Sequence, residues 1–137
     1  MADIDISSTL AEIRIVTGGK PQKRTGGEAL DQGKLVYPGT DDKLFRGEWD
    51  DSSKIAISGM IVLPGDADGD DVYIAVPGDV IYIGTTLVQS EIYVLGTAGN
   101  FRPVGDLNTG KFPVIAGIAE TTNKLRLILE HVTVAKP

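Results

Sequence analysis

No apolar run in this chain goes far before glycine, proline or aspartate cuts it. The longest, KIAISGMIVL at residues 54–63, carries Gly59 in its middle. PGDADGD then breaks the chain, DVYIAV resumes it, PGD breaks it again, and VIYIG follows. Runs of four to ten residues between turn residues are the pattern of antiparallel strands in a sandwich or barrel. A glycine inside such a run marks a bulge or a close backbone approach. The 17 glycines and 7 prolines supply the turns. The expected fold is all-β, a small antiparallel β-barrel or sandwich. Only residues 28–33 and 105–110 offer a single helical or 3₁₀ turn.

With 137 residues the chain fits one domain. A chain of that size buries roughly 68–70% of its unfolded surface, so its core needs neither metal nor disulfide. There is no cysteine, which excludes thiolate zinc sites, thiol catalysis and disulfide scaffolds. A formal net charge of −6 argues against nucleic-acid binding, which needs clustered Lys and Arg. The opening MADIDISSTLAE lacks the basic n-region of a signal peptide. Runs such as MIVL and VIYI fall far short of the ~20 residues that span a bilayer, so no membrane partner is expected.

The first residues alternate with period two. Ile4 and Ile6 lead, and Ala11, Ile13 and Ile15 then stand against Glu12 and Arg14. This reads as an extended, strand-like N-terminal arm. TGGKPQKRTGG, residues 17–27, follows, with two glycine pairs flanking Lys20, Lys23 and Arg24. It reads as a flexible loop with a basic centre, either solvated or docking an acidic partner. The expected organisation is therefore an arm and basic loop over residues 1–27, and a single β-rich domain over residues 28–137.

The second half repeats the order of the first. TTLVQSEIYVL resembles EALDQGKLVYP, and TAGNFRPV takes the place of TDDKLFRG. PVIAGIA resembles KIAISGM, and NKLRLILEHV parallels DVYIAV. Leu30 to Leu87, Tyr37 to Tyr93 and Gly59 to Gly117 are offset by 57, 56 and 58 positions. Such an offset is the mark of an internal duplication, or of the coincidences that any antiparallel domain produces.

The acidic stretch at residues 63–79 holds Asp66, Asp68, Asp70, Asp71 and Asp79. Counted from Asp66, positions 1, 3 and 5 of a calcium loop are aspartates. Position 6 is Asp71 where glycine is needed, and position 12 is Pro77, which cannot close the coordination. Asp68-Gly69 is a strong hairpin signal, so the stretch reads as a polar turn on the surface and no metal is expected. The one histidine, His131, lies on a strand face opposite Leu125, Leu127 and Leu129. No Gly-x-Ser-x-Gly occurs, the acids sit mostly in turns, and TGGK lacks the spacing of a phosphate loop. No catalytic residue and no cofactor is expected.

Three stretches carry a family resemblance: GGEALDQGKLVYPGTDDKL, IAISGMIVLPGDADGDDVYIAVPGDVIYIG, and TTLVQSEIYVLGTAGNFRPVGDLNTGKFPVIAGIAETTNKLRLIL. The chain resembles the small capsid decoration, or cement, proteins of tailed bacteriophages. The likeness covers roughly residues 17–130 and lies in turns and core positions, so it points to a scaffold and not to a chemistry. It implies a β-tulip-like fold and a non-enzymatic role on the outer surface of the virion. There such proteins bridge major capsid protein subunits, often as a homotrimer. It also implies that the arm lies along the capsid. Ile4, Ile6, Ile13 and Ile15 would then be apolar anchors, and Lys20, Lys23 and Arg24 polar ones. This chain is more acidic than many relatives and adds the basic KPQKR. A different reading is a head-fibre or receptor-adhesion module that recognises glycans, for which Trp49 in RGEWDD would supply a stacking face.

Overall fold

The structure is a computed structural model that describes residues 13–83, 87–132 and 134–137. Eleven strands follow in order: β1 (Ile13–Thr17), β2 (Gln22–Thr25), β3 (Leu35–Pro38), β4 (Leu44–Arg46), β5 (Gly59–Leu63), β6 (Asp71–Ala75), β7 (Val80–Ile83), β8 (Ile92–Leu95), β9 (Phe101–Pro103), β10 (Val114–Thr121) and β11 (Lys124–His131). They form two antiparallel sheets. The first runs β2-β6-β5-β3-β4 and the second β1-β7-β11-β10-β8-β9. The fold is all-β and sandwich-like, as the broken apolar runs require. The 3₁₀ turns lie at Thr40–Asp42, Ser52–Lys54 and Val104–Asp106, so only the last touches a segment expected to turn helically. Residues 28–33 instead form a non-helical turn closed at Gly33, whose φ of 84° suits a residue without Cβ.

The first sheet is buried on both faces. Leu35, Met60, Val62 and Ala75 join the larger core, which they share with the second sheet. Their neighbours Val36, Ile61, Val72 and Ile74 point the other way, into a smaller core with Leu30 and Leu44. Successive strand residues point to opposite faces, so burying both faces demands unbroken apolar runs. The edges of this sheet touch through one parallel bridge, Gly26 to Leu44, which curls it around the smaller core. The second sheet is one-sided. On β11, Leu125, Leu127 and Leu129 are buried while Arg126, Glu130 and His131 face solvent. Each fully buried aliphatic side chain contributes about 1.5–3 kcal/mol.

Residues 13–25 do not form an arm outside the core. β1 pairs antiparallel with β7, Ile13 opposite Ile83 and Ile15 opposite Ile81. β2 pairs with β6, Lys23 opposite Tyr73 and Arg24 opposite Val72. Ile13 lies in the larger core, only 5% exposed, and half-buried Ile15 packs against that core. The period-two signal was real, but its apolar face found a partner within the same chain. The basic segment likewise contributes a strand, so residues 18–21 alone form the connecting loop.

The two halves share strand order and register. Replacing β2, β3, β4, β5 and β6 by β7, β8, β9, β10 and β11 turns the order of the first sheet into that of the second, less β1. The pairs Val36–Arg46, Tyr37–Phe45 and Pro38–Leu44 recur 57 positions on as Tyr93–Pro103, Val94–Arg102 and Leu95–Phe101. Leu30 N–H donates to Gly65 O at 2.9 Å, and Leu87 N–H to Thr122 O at 2.7 Å. Left-handed backbone at Asp41 and Asp42 recurs at Ala98 and Gly99. Tyr37 therefore corresponds to Val94, and Tyr93 to Val36, so the matching of the two tyrosines was one residue out of step. From Leu63 and Thr121 to Tyr73 and Lys124 the offset falls from 58 to 51. The acidic stretch is thus a seven-residue insertion peculiar to the first repeat.

A ring of three backbone hydrogen bonds joins the repeats. Leu35 N–H donates to Gly99 O at 2.8 Å, Gly99 N–H to Gly47 O at 2.8 Å, and Gly47 N–H to Leu35 O at 2.9 Å. Trp49 N–H donates to Gly96 O, and Ala98 N–H to the Glu48 carboxylate. The Lys34 ammonium, almost fully buried, donates to Asn100 Oδ1. The turn 96–100 of the second repeat is thereby seated on β3 and the end of β4.

Gly59 and Gly117 occupy equivalent places, each pressed against the next strand. A Cβ on Gly59 would stand 2.5 Å from Ala75 O, and one on Gly117 2.2 Å from Arg126 O. Gly59→Ala and Gly117→Ala are each expected to destabilise by about 1–3 kcal/mol, because the obstruction is backbone. Gly105 has open space around it, so Gly105→Ala is expected within about 0.5 kcal/mol of wild type. Urea denaturation of the three variants checks the ranking.

Candidate binding surface

The acidic stretch resolves into separate local duties. Asp70 Oδ2 accepts the N–H groups of Asp66 and Ala67, at 3.0 and 3.1 Å, and so closes its own turn. Asp70 N–H donates to Ala67 O, and of the two central residues only Gly69 has positive φ, at 94°. A type I′ turn needs positive φ at both, so this is a longer loop and not a two-residue hairpin. Asp68 binds the Lys43 ammonium at 2.8 Å, and this hydrogen bond and charge raise the lysine pKa. Asp71 meets Lys23 at 3.3 Å across the β2–β6 pair. No cluster of three acidic or histidine side chains suited to a metal occurs among the described residues.

Asp79 departs from the surface role expected of all five aspartates. It is 5% exposed. Its Oδ1 accepts Gly19 N–H at 3.3 Å and its Oδ2 accepts Val76 N–H at 3.0 Å. Its own backbone bonds Leu127, whose N–H donates to Asp79 O. A buried carboxylate is stable only with such donors around it. Gly18, with φ of 137°, leaves space that a Cβ would take from Asp79 Oδ1. Asp79 therefore fixes the point at which the chain leaves β1 and crosses towards the first sheet.

That crossing shapes a groove of about 380 Å³. Ile13, Arg14 and Ile15 of β1, Val62 and Leu63 of β5, and the loop residues Gly19, Lys20 and Pro21 line it. Its walls are mainly aliphatic. Leu63 is 52% exposed, and Lys20 stands at the solvent rim. The Arg14 guanidinium lies 4.4 Å above the Tyr82 ring, which holds that charge on the outer face of the second sheet. Among the described residues β1 is the last strand of its sheet, so its outer edge borders this groove.

The structure brings Ile13, Ile15 and Lys20 together here. Ile13 serves the core, which corrects its expected role as a free anchor. Lys23 and Arg24 lie on β2, where Asp71 and, at 4.0 Å, Asp42 share their charge. Ile4 and Ile6 lie outside the described residues. The contributions of Leu63 and Arg14 were not legible, since each depends on which strand ends face each other across the two sheets. Trp49 is not a stacking platform. It is 3% exposed, beneath Arg102 at 4.6 Å and Lys111 at 5.6 Å, so the glycan-adhesion reading loses its aromatic residue.

Asp79→Ala removes the acceptor of the Gly19 and Val76 N–H groups, whose bonds to it are only partly buried, and a loss of about 0.5–1.5 kcal/mol is expected in urea denaturation. Faster amide exchange at Gly19 and Val76 is expected with it. The thermal midpoint is expected to be the same in calcium as in chelator, because the Asp68 and Asp70 carboxylates are already engaged with the protein. No protein-family model matches the chain, and no curated protein matches it in sequence.

Proposed function

We propose that this protein is a structural decoration protein that binds the outer surface of a phage head and stabilises the shell by bridging major capsid protein subunits, as a homotrimer. The observation that carries the reading is the outer edge of β1 beside an apolar groove with a basic rim. An exposed strand edge accepts an extended segment through backbone hydrogen bonds, without demanding particular side chains. The groove beside it offers aliphatic contact to alternate side chains of that segment. Arg14 and Lys20 complement an acidic partner, although the chain itself carries a net charge of −6. The sequence resemblance to capsid decoration proteins supports the same role. Repetition over a symmetric shell makes modest single contacts sufficient, because effective concentration multiplies them.

The test is cosedimentation with expanded phage heads. Saturable binding of the wild type is expected. Lys20→Glu combined with Leu63→Glu is expected to weaken it at least tenfold, about 1.4 kcal/mol. Deletion of residues 1–12, which leaves β1 intact, separates the part played by Ile4 and Ile6 from that of the groove. A wild-type protein that remains in the supernatant at every concentration overturns the proposal.

A further inference from the structure

The ring of hydrogen bonds that joins the two repeats has an exposed counterpart of each of its two sides. Inside the chain, the turn 96–100 sits on Leu35 and Gly47, both buried. The residues 57 positions beyond Leu35 and Gly47 are Ile92 and Val104, and these are 36% and 40% exposed. Val104 follows directly on the Tyr93–Pro103 pair, so it stands beside Ile92 as Gly47 stands beside Leu35. The neighbour across the sheet repeats the contrast. Met60, opposite Leu35, is fully buried, whereas Ile118, opposite Ile92, is only half-buried.

The matching turn is likewise unseated. Residues 39–43 correspond to 96–100 and keep their internal bonds. Gly39 N–H donates to Lys43 O at 2.8 Å, as Gly96 N–H donates to Asn100 O at 2.8 Å. Asp41 and Asp42 hold φ of 58° and 59° in an exposed turn. Aspartate tolerates left-handed backbone better than most residues, because its short polar side chain can bond locally. The first repeat thus keeps the docking conformation although nothing among the described residues receives it as β3 receives the turn 96–100.

Charge identifies the occupant. The buried contact inside the chain is Lys34 to Asn100. Its counterparts are Glu91 on the open site and Lys43 on the open turn, an acid and a base. From these observations we propose that copies of this chain associate head to tail, the turn 39–43 of one seated on Ile92 and Val104 of the next. Asp42 O then accepts Ile92 N–H, and Glu91 meets Lys43, which exchanges its intrachain partner Asp68. Asp42 N–H, which donates to Gly39 O at 3.1 Å in the single chain, turns to Val104 O, a carbonyl that already accepts Leu107 N–H and has room for a second donor. Such an interface uses two different surfaces, so it closes into a ring when the rotation between copies permits. This bears on the homotrimer proposed above and not on capsid binding, since it concerns the protein free in solution.

The test is the mass of the purified full chain by sedimentation or light scattering across a concentration series. A concentration-dependent oligomer is expected, falling to the 14.5 kDa monomer with Ile92→Asp plus Val104→Asp. Glu91→Lys and Lys43→Glu are each expected to weaken association at least tenfold, and the double reversal to restore it. Mixing the Ile92→Asp/Val104→Asp chain with the Lys43→Glu chain leaves one sound surface on each, and a species of twice the monomer mass is expected. Circular dichroism checks that each variant is folded. A wild-type monomer at all concentrations overturns the inference, as does an oligomer indifferent to both single charge reversals. Either result leaves capsid binding to be judged by its own assay.

Discussion

The three backbone hydrogen bonds among Leu35, Gly47 and Gly99 make one domain of two repeats. Each residue donates to one partner and accepts from the other, so the donors and acceptors of Leu35 at the start of β3, Gly47 and Gly99 are satisfied by one another. Glycine at positions 47 and 99 eases the packing at this buried junction. A Cβ on Gly99 would stand 3.0 Å from Leu35 O, and one on Gly47 would stand 2.5 Å from the end of Ile57. Once this junction is set, Leu35, Met60, Val62 and Ala75 must face the second sheet, and a single larger core follows.

The repeats have since diverged in the directions their surroundings demand. The first is apolar on both faces of its sheet because the second repeat covers one face and Leu30 with its loop helps close the other. The second keeps a polar outer face, where Arg126 meets Glu120 and Arg14 lies over Tyr82. At the equivalent hairpin the second repeat turns with two residues between Thr121 and Lys124, while the first carries the inserted acidic loop. Loops tolerate such insertions because closure entropy grows slowly with length. The insertion is held by bonds made within it and by Lys43.

Much of this was legible in particular residues. Gly59 inside an apolar run announced the close approach to Ala75, and its echo at Gly117 announced the repeat. Pro77 in place of a closing ligand set this stretch apart from a calcium loop, and the structure gives Asp68 and Asp70 partners within the protein. Other features were not legible. The alternation of Ile13 and Ile15 fits a free arm and an edge strand equally well, because period two fixes which face is apolar and not what covers it. Asp79 and Trp49 sit in stretches that look like surface, yet both are buried by residues more than 50 positions away, Asp79 against the Gly18–Gly19 turn and Trp49 beneath Arg102 and Lys111.

The sequence by itself determined the class of fold, the place of nearly every strand and the order in which the halves repeat. These follow from local chemistry: the lengths of apolar runs, the residues able to turn, and periodicity. Only the tertiary structure decided that β1 belongs to the second sheet and β2 to the first, and that Asp79 clasps the crossing between them. It alone decided that the docking site filled at Leu35 and Gly47 stands open at Ile92 and Val104. Those are questions of which surfaces meet, and contacts between residues about 50 positions apart leave no periodic trace in the chain that forms them.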